Sequence, residues 1–284
     1  MLAESYGVAV SVARYVTDRE DRHLSEGCAD STPASNALLG RDDPSPVDVT
    51  NPGGQSPFVL LGDHAGRAIP AVLGDLGLPP GALDLHIAWD IGIGAVGDLL
   101  SGPLDAPFVQ QRYSRLVIDC NRKPDAGDLA PAVSDGIAVA GNAGLSASDL
   151  AARRTAIYDP YQARISTLLD ARAALGLPTL LVSLHSFTPV MQGFVRPWRY
   201  GVLHRGDSPF SDRVLTQLQA ALGEAAGDNE PYAMDSRDNT IPLHADARGL
   251  DYLELEIRQD LIADQARQAD AARFVAELLE AALA

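Results

Sequence analysis

The feature that most constrains this chain is a set of short, almost continuously apolar runs that each break off into polar residues. PFVLLGDH starts at Pro57, SRLVIDCN spans Ser114 to Asn121, TLLVSLHS starts at Thr179 and YLELEIRQD starts at Tyr252. A run of this length with little alternation is the pattern of a strand covered on both faces, because a strand with one wet face alternates. Stretches with apolar residues at helical spacing lie between them: Leu85 to Leu100, Ser148 to Leu175 (closed by Gly176 and Pro178), Ser211 to Leu222 and Gln265 to Ala282. RYGVLHRG, from Arg199, reads as a further strand. Strands alternating with helices predict an α/β fold, a mixed, largely parallel sheet with helices on both faces. In such sheets ligands gather at the carboxyl ends of the strands, which is where these runs turn polar.

At 284 residues, 46% hydrophobic and 21% charged, the chain can bury a sizeable core. Its formal net charge of −16 opposes any role that grips phosphate backbones or anionic lipid, since both need clustered Lys and Arg. Neither nucleic acid nor a membrane is an expected partner. From about Thr17 to Pro57 the sequence is rich in Asp, Ser, Pro, Gly and Asn without periodicity, a composition that buries too little apolar surface to order itself. The expected organisation is therefore a partly disordered N-terminal segment at 1–57 and one domain at 58–284. Met1 to Glu20 holds only a short apolar stretch, Val8 to Val12, between acidic flanks, so neither an export signal nor a membrane span is expected. The two cysteines, Cys28 and Cys120, sit in unlike contexts and suggest no disulfide framework, which suits a cytoplasmic location.

The polar groups at the strand ends are the candidates for chemistry: Asp63 with His64, Asn121 with Arg122, His185 with Ser186, and Glu256 with Arg258. Two histidines and a carboxylate are the usual ligand set of a catalytic zinc, with the remaining position left to water. His64 and His185 are the first choices. Adjacent strand residues point to opposite faces, which argues against Asp63 sharing an ion with His64. Asp90, in HIAWDIGIG, is the alternative acid; it lies four residues after His86, a spacing that shares one helical face, and could equally be a helix cap. Glu256 lies on the opposite strand face from Leu255 and Ile257 and on the same face as Glu254 and Arg258. A carboxylate beside an activated water takes its proton and returns it to the leaving amine, a role that suits Glu256, although an ion pair with Arg258 is also open to it. Arg112, Arg115 and Arg122 crowd one segment of an acidic chain. Their guanidinium forks suit bidentate carboxylate binding, or pairing with Asp119, Asp125 or Asp128. The Gly- and Asp-rich stretch Lys123 to Leu145 is long for a connection and reads as a lid or binding loop.

The strings GDHAGRAIP, HIAWDIG, SRLVIDCNR, SDGIAVAGN, LHSFTP, RPWRYGVLH, DNEPY, HADARG and LEIRQDL, in this order, resemble the N-formylglutamate amidohydrolase family over about Phe58 to Ala282. The resemblance implies a phosphorylase/hydrolase-like fold similar to the zinc carboxypeptidases and aspartoacylase, and hydrolysis of N-formyl-L-glutamate to formate and L-glutamate. It implies His64 and His185 as zinc ligands, Glu256 as general base, and Asn121 and Arg122 as substrate ligands, because DCNR looks like the Asp-Leu-Asn-Arg of aspartoacylases. One departure stands out: the carboxypeptidase pattern has Glu three residues after its first histidine, and this chain has Arg67 there.

The resulting expectation is a metal-dependent amidohydrolase acting on a small acidic N-acyl amino acid. His64, Asp90 and His185 hold Zn2+ or another divalent cation, and Glu256 activates water. Arg115, Asn121, Arg122 and Arg258 bind carboxylate, while Tyr232 and His244 polarise the carbonyl or orient the substrate. Two other classes remain open, a non-catalytic dicarboxylate-binding protein and a carboxypeptidase-like peptidase.

Overall fold

The runs Phe58–Gly62, Leu180–Phe187 and Asp251–Arg258 fold as strands and lie side by side. The computed structural model describes residues 37–283; the expectations placed on residues 1–36, including Cys28, lie outside the described residues. In chain order the strands are β1 (Val47–Thr50), β2 (Phe58–Gly62), β3 (Phe108–Gln111), β4 (Val133–Ser134), β5 (Ile137–Ala138), β6 (Leu180–Phe187), β7 (Val190–Met191), β8 (Phe194–Val195), β9 (Tyr200–Leu203), β10 (Ala226–Asp228) and β11 (Asp251–Arg258). The helices are α1 (Ile93–Ser101), α2 (Ala147–Arg153), α3 (Asp159–Ala174), α4 (Pro209–Leu222), α5 (Thr240–His244) and α6 (Gln265–Leu283). Seven strands form the main sheet in the order β1-β3-β2-β6-β11-β9-β10. β3, β2, β6 and β11 run parallel, as do β9 and β10, while β1 and β9 pair antiparallel with β3 and β11. The fold is thus the mixed, largely parallel α/β sheet expected.

Side-chain parity assigns the two faces. Leu60, Val182, Leu184, Leu253, Leu255 and Ile257 pack with α1, α4 and α6 on one face. Val59, Leu61, Leu181 and Tyr252 pack with α3 and α5 on the other. The first face stays apolar along its length. On the second, the same parity continues into Ser183, His185, Glu254 and Glu256, so the core gives way to polar groups at the carboxyl ends of adjacent strands. Among the described residues no helix is long and apolar enough to cross a membrane.

Four expectations are corrected. Within the described residues the folded unit already takes in Ala37 to Pro57, ahead of Phe58: Leu38, Leu39, Val47 and Val49 pack against the core, and β1 pairs with β3, so a few apolar residues in a polar stretch suffice when an edge is available. Ser114 to Asn121 is a buried, turn-rich segment and not a strand. Leu116, Val117 and Ile118 are fully buried, and the strand that fills this place is Phe108–Gln111; an apolar run reports burial, not ladder pairing. Leu85 to Asp90 is not helical either, because α1 starts only after Gly92, which adopts φ +83° and packs where a Cβ would meet the Ile262 carbonyl. His86 and Asp90 therefore share no helical face. The helix expected from Ser148 to Leu175 is interrupted by a π-turn at Arg154–Tyr158, next to Pro160, which has no amide hydrogen for the ladder.

Candidate active site

His64 follows β2, where the chain turns after Gly62, and its carbonyl accepts from the Asp90 amide at 2.9 Å. His185 stands on β6, in register with Glu256 on β11. Asp90 sits in the turn before α1. One donor atom from each of His64, Asp90 and His185 lies within 4.8 Å of the other two, and all three residues are buried. Asp90 Oδ2 is 3.0 Å from His185 Nδ1 and 3.6 Å from His64 Nδ1.

The far nitrogens of the two rings are held from behind. His64 Nε2 is 2.7 Å from Asp119 Oδ1. His185 Nε2 is 3.1 Å from Ser183 Oγ and 3.4 Å from Asp63 Oδ2. His64 Nδ1, by contrast, is buried without a hydrogen-bond partner. A metal-ligating histidine characteristically gives its other ring nitrogen to a carboxylate, which fixes the tautomer and the ring plane. Two imidazoles so braced, each turning Nδ1 toward the same carboxylate oxygen, fit a divalent cation of the zinc type. Asp90 is a carboxylate within reach of both rings, whereas Arg67, at the position of the departure, pairs with Asp84 near the surface.

The electrostatics agree with a cation site. Burial opposes ionisation of Asp63, Asp90 and Asp119, yet the imidazoles beside them, and Arg115 beside Asp119, hold all three carboxyls below the usual range. Burial likewise opposes charge on the imidazoles, and the surrounding carboxylates outweigh it, raising His64 and, more strongly, His185. A field that stabilises extra positive charge on two rings also stabilises a metal ion between them. Burial pushes Glu254 up to about 8 and Glu256 up to about 7. Glu256 Oε2 is buried with no hydrogen-bond partner, so one carboxylate oxygen is uncommitted beside the histidines.

His64, Asp90, Asp119, His185, Glu254 and Glu256 line a cavity of about 360 Å³, a size that holds a small molecule. Its walls also include Arg115, Asn121, Arg122 and Tyr232, and the loop expected to cover a ligand contributes Asp128, Pro131 and Val133 to Asp135. Arg115 donates to Asp119 Oδ2 from Nε at 3.2 Å and Nη2 at 2.8 Å, and lies 3.5 Å from Asp90 Oδ1, so its fork faces the carboxylates behind the site. Arg122 bonds Asp128 at 3.2 Å and lies 3.6 Å from Asp238. Asn121 Oδ1 accepts from the Asn239 and Thr240 amides and so caps α5. Tyr232 Oη accepts from Arg196 at 3.0 Å.

Two expected residues do not reach the cavity. Arg258 turns away to Asp260 and to the carbonyls of Arg196 and Trp198. His244 is buried in the core beside α3, 2.7 Å from Gln162 Oε1, and burial pushes its pKa down to about 4. Asp119 and Ser183, which brace the histidines, and Glu254, which shares the strand face of Glu256, were not among the candidate site residues. For Ser183 and Glu254 the signal was available as parity: both share a strand face with His185 or Glu256.

Residues 56–263 match the family model for N-formylglutamate amidohydrolase. Among solved structures the chain is similar to the gene product Atu2144 from Agrobacterium tumefaciens, with 36% identity, 87% of this chain and 98% of that one covered, and a TM-score of 0.83. It also resembles in fold the N-formylglutamate amidohydrolase from Ralstonia eutropha JMP134, with 19% identity, 84% and 97% covered, and a TM-score of 0.58. No curated protein matches. The match over most of the chain, on a sheet whose strand ends carry this cluster, places the protein in the N-formylglutamate amidohydrolase family.

Proposed function

We propose that this amidohydrolase uses a divalent cation, zinc in the first instance, to cleave the amide of a small acidic N-acyl amino acid, N-formyl-L-glutamate to formate and L-glutamate. The observation that carries the reading is the pair of braced imidazoles sharing the Asp90 oxygen beside a carboxylate with a free oxygen. His64, Asp90 and His185 would hold the ion, which when bound polarises the amide carbonyl and makes water acidic enough to attack near neutral pH. Glu256 takes the proton from the attacking water at Oε2. The water oxygen forms the new C–O bond to the acyl carbon, the C–N bond breaks, and Glu256 returns the proton to the leaving nitrogen. Tyr232, whose hydroxyl oxygen accepts from Arg196, keeps its own hydrogen to donate to the carbonyl oxygen. Asn121 and Arg122, at the cavity wall, are the ligands for a substrate carboxylate.

The test is turnover of N-formyl-L-glutamate, followed by formate release, on protein stripped with a chelator and then resupplied with zinc, manganese or cobalt. Activity lost on stripping and restored by an ion is the expected result. Full activity in the stripped protein would refute the metal. Metal-restored activity on neutral N-acyl amino acids alone would refute the acidic substrate, and ligand binding without turnover of any amide would leave a binding protein.

A further inference from the structure

Threonines inside helices commonly return the hydroxyl to the carbonyl four residues back, as Thr167 does to Ala163 and Thr216 to Asp212, each at 2.8 Å. Thr240, the first residue of α5, does not. Its hydroxyl donates to Asp63 Oδ1 at 2.8 Å, across 177 residues of sequence, and both residues are buried. Its backbone amide meanwhile donates to Asn121 Oδ1 at 2.9 Å. One residue therefore touches both the segment proposed to bind the substrate carboxylate and the acid that stands behind His185.

The hydrogens around Asp63 can be counted. Ionised, the carboxylate only accepts. Oδ1 takes the Thr240 hydrogen, and Oδ2 takes that of the Ser183 hydroxyl at 3.1 Å. Ser183 has a single hydrogen to give, so toward His185 Nε2, 3.1 Å away, its oxygen is an acceptor. Asp63 Oδ2, 3.4 Å from the same nitrogen, is an acceptor as well. Nε2 thus faces two acceptors and carries the ring hydrogen, which leaves the Nδ1 lone pair for a cation. This arrangement needs the plane of the carboxylate to be held, and Thr240 holds it from the far oxygen. Without that hydroxyl Oδ1 loses its donor in a buried place, and the carboxylate can turn to recover one at the expense of Ser183 and His185.

We propose that Thr240 is a positioning residue for the cation: its hydroxyl fixes Asp63 so that His185 keeps its hydrogen on Nε2 and offers Nδ1 to the ion. The role rests on the metal site proposed above, and one arm of the experiment needs no metal. Thr240→Val removes the hydroxyl, keeps the branched shape and leaves the amide on Asn121, whereas Thr240→Ser keeps the hydroxyl. Tyr158→Phe controls for a loosened α5, because the Tyr158 hydroxyl accepts from Asn239 Nδ2 at 2.8 Å and donates to the Arg122 carbonyl rather than to Asp63. In each protein zinc affinity is measured by competition with a chromogenic chelator, and the electronic spectrum of the cobalt-loaded form is recorded. The Nε2–H signal of His185 is followed by NMR in the metal-free form with isotope-labelled histidine, and thermal melting verifies folding.

Thr240→Val is expected to weaken zinc binding about 10-fold, the lower end of what an outer partner of a ligating histidine is worth, and to alter the cobalt spectrum and the Nε2–H signal. Thr240→Ser and Tyr158→Phe should match the wild type in all three. Thr240→Ala, which also lacks the hydroxyl, takes the place of Thr240→Val if the latter does not fold. Unchanged zinc affinity and cobalt spectrum without the hydroxyl would overturn the proposal. So would an equal loss in Tyr158→Phe, which would trace the effect to the seating of α5, or a Thr240→Ser protein as weak as Thr240→Val. If the wild type binds no divalent cation, the metal reading fails while the NMR arm still decides Thr240. An Nε2–H signal displaced in Thr240→Val and kept in Thr240→Ser upholds its hold on His185, and a signal unmoved in both refutes it.

Discussion

Glu256 combines a buried carboxylate, a pKa pushed up to about 7 by that burial, and an oxygen without a partner in the cavity wall. Burial thus raises its proton affinity, which is what the proposed role of general base requires. Glu256→Gln keeps the shape and removes the basicity, so kcat should fall about 10²- to 10⁴-fold while product affinity, measured by calorimetry, stays within a few-fold. Asp119 acts differently. It touches His64 Nε2 and carries the Arg115 fork, so Asp119→Asn should leave the cavity walls in place but weaken metal affinity about 10- to 100-fold, read by competition with a chromogenic chelator. Unchanged affinity would mean that the His64 ring is oriented by packing alone.

At the scale of elements, the site depends on three parallel strands being neighbours and on how tightly helices lie against them. α1 approaches β3 closely because Gly97 has no side chain, and a methyl there would overlap the Phe108 ring in the core. Gly97→Ala should therefore cost about 1–3 kcal/mol, seen as a lower midpoint of urea unfolding at unchanged slope. A neutral or stabilising result, as expected for Gly→Ala in an open helix, would show that β3 yields to the methyl. The short helix α5 shows why one side chain can serve two masters: Asn121 reaches the cavity, yet its oxygen is spent on the α5 amides. This contact was not legible from DCNR, because the partners lie more than a hundred residues downstream at Asn239 and Thr240.

The whole molecule concentrates buried charge at one rim of the sheet, and its stability should therefore respond to pH and to cations together. Glu254 and Glu256 are raised above their ordinary 4.5, so the folded chain binds protons that the unfolded chain has released, and stability is lost as pH rises through about 7 to 8. The raised histidines act in the same direction, their contribution being complete below 6.5 and lost as pH rises through the higher folded values. Asp63, Asp90 and Asp119 act oppositely, contributing above 3.8 and losing stability as pH falls below it. The metal-free protein should thus melt highest in mildly acid buffer and at falling Tm between about pH 5 and about pH 8. Added zinc should raise Tm most at the upper end, where protons no longer fill its place. A Tm that climbs with pH across this window without metal would contradict the assignment of Glu254 and Glu256 as buried, proton-holding groups.

Parity and polarity along the chain determined the sheet class, three of its central strands and the placement of His64, His185 and Glu256 at strand ends, because burial on two faces leaves a mark that needs no partner to read. The same local marks misread Ser114 to Asn121, where burial came without a ladder, and Leu85 to Asp90, where Gly92 delayed the helix. Tertiary structure alone decided that Asp90 closes the cluster, that Asp119 and Asp63 brace the rings, and that Arg258 and His244 turn elsewhere. The physical reason is range: periodicity reports the few residues around a position, whereas an ion pair joins atoms whose separation along the chain carries no information about their distance in space.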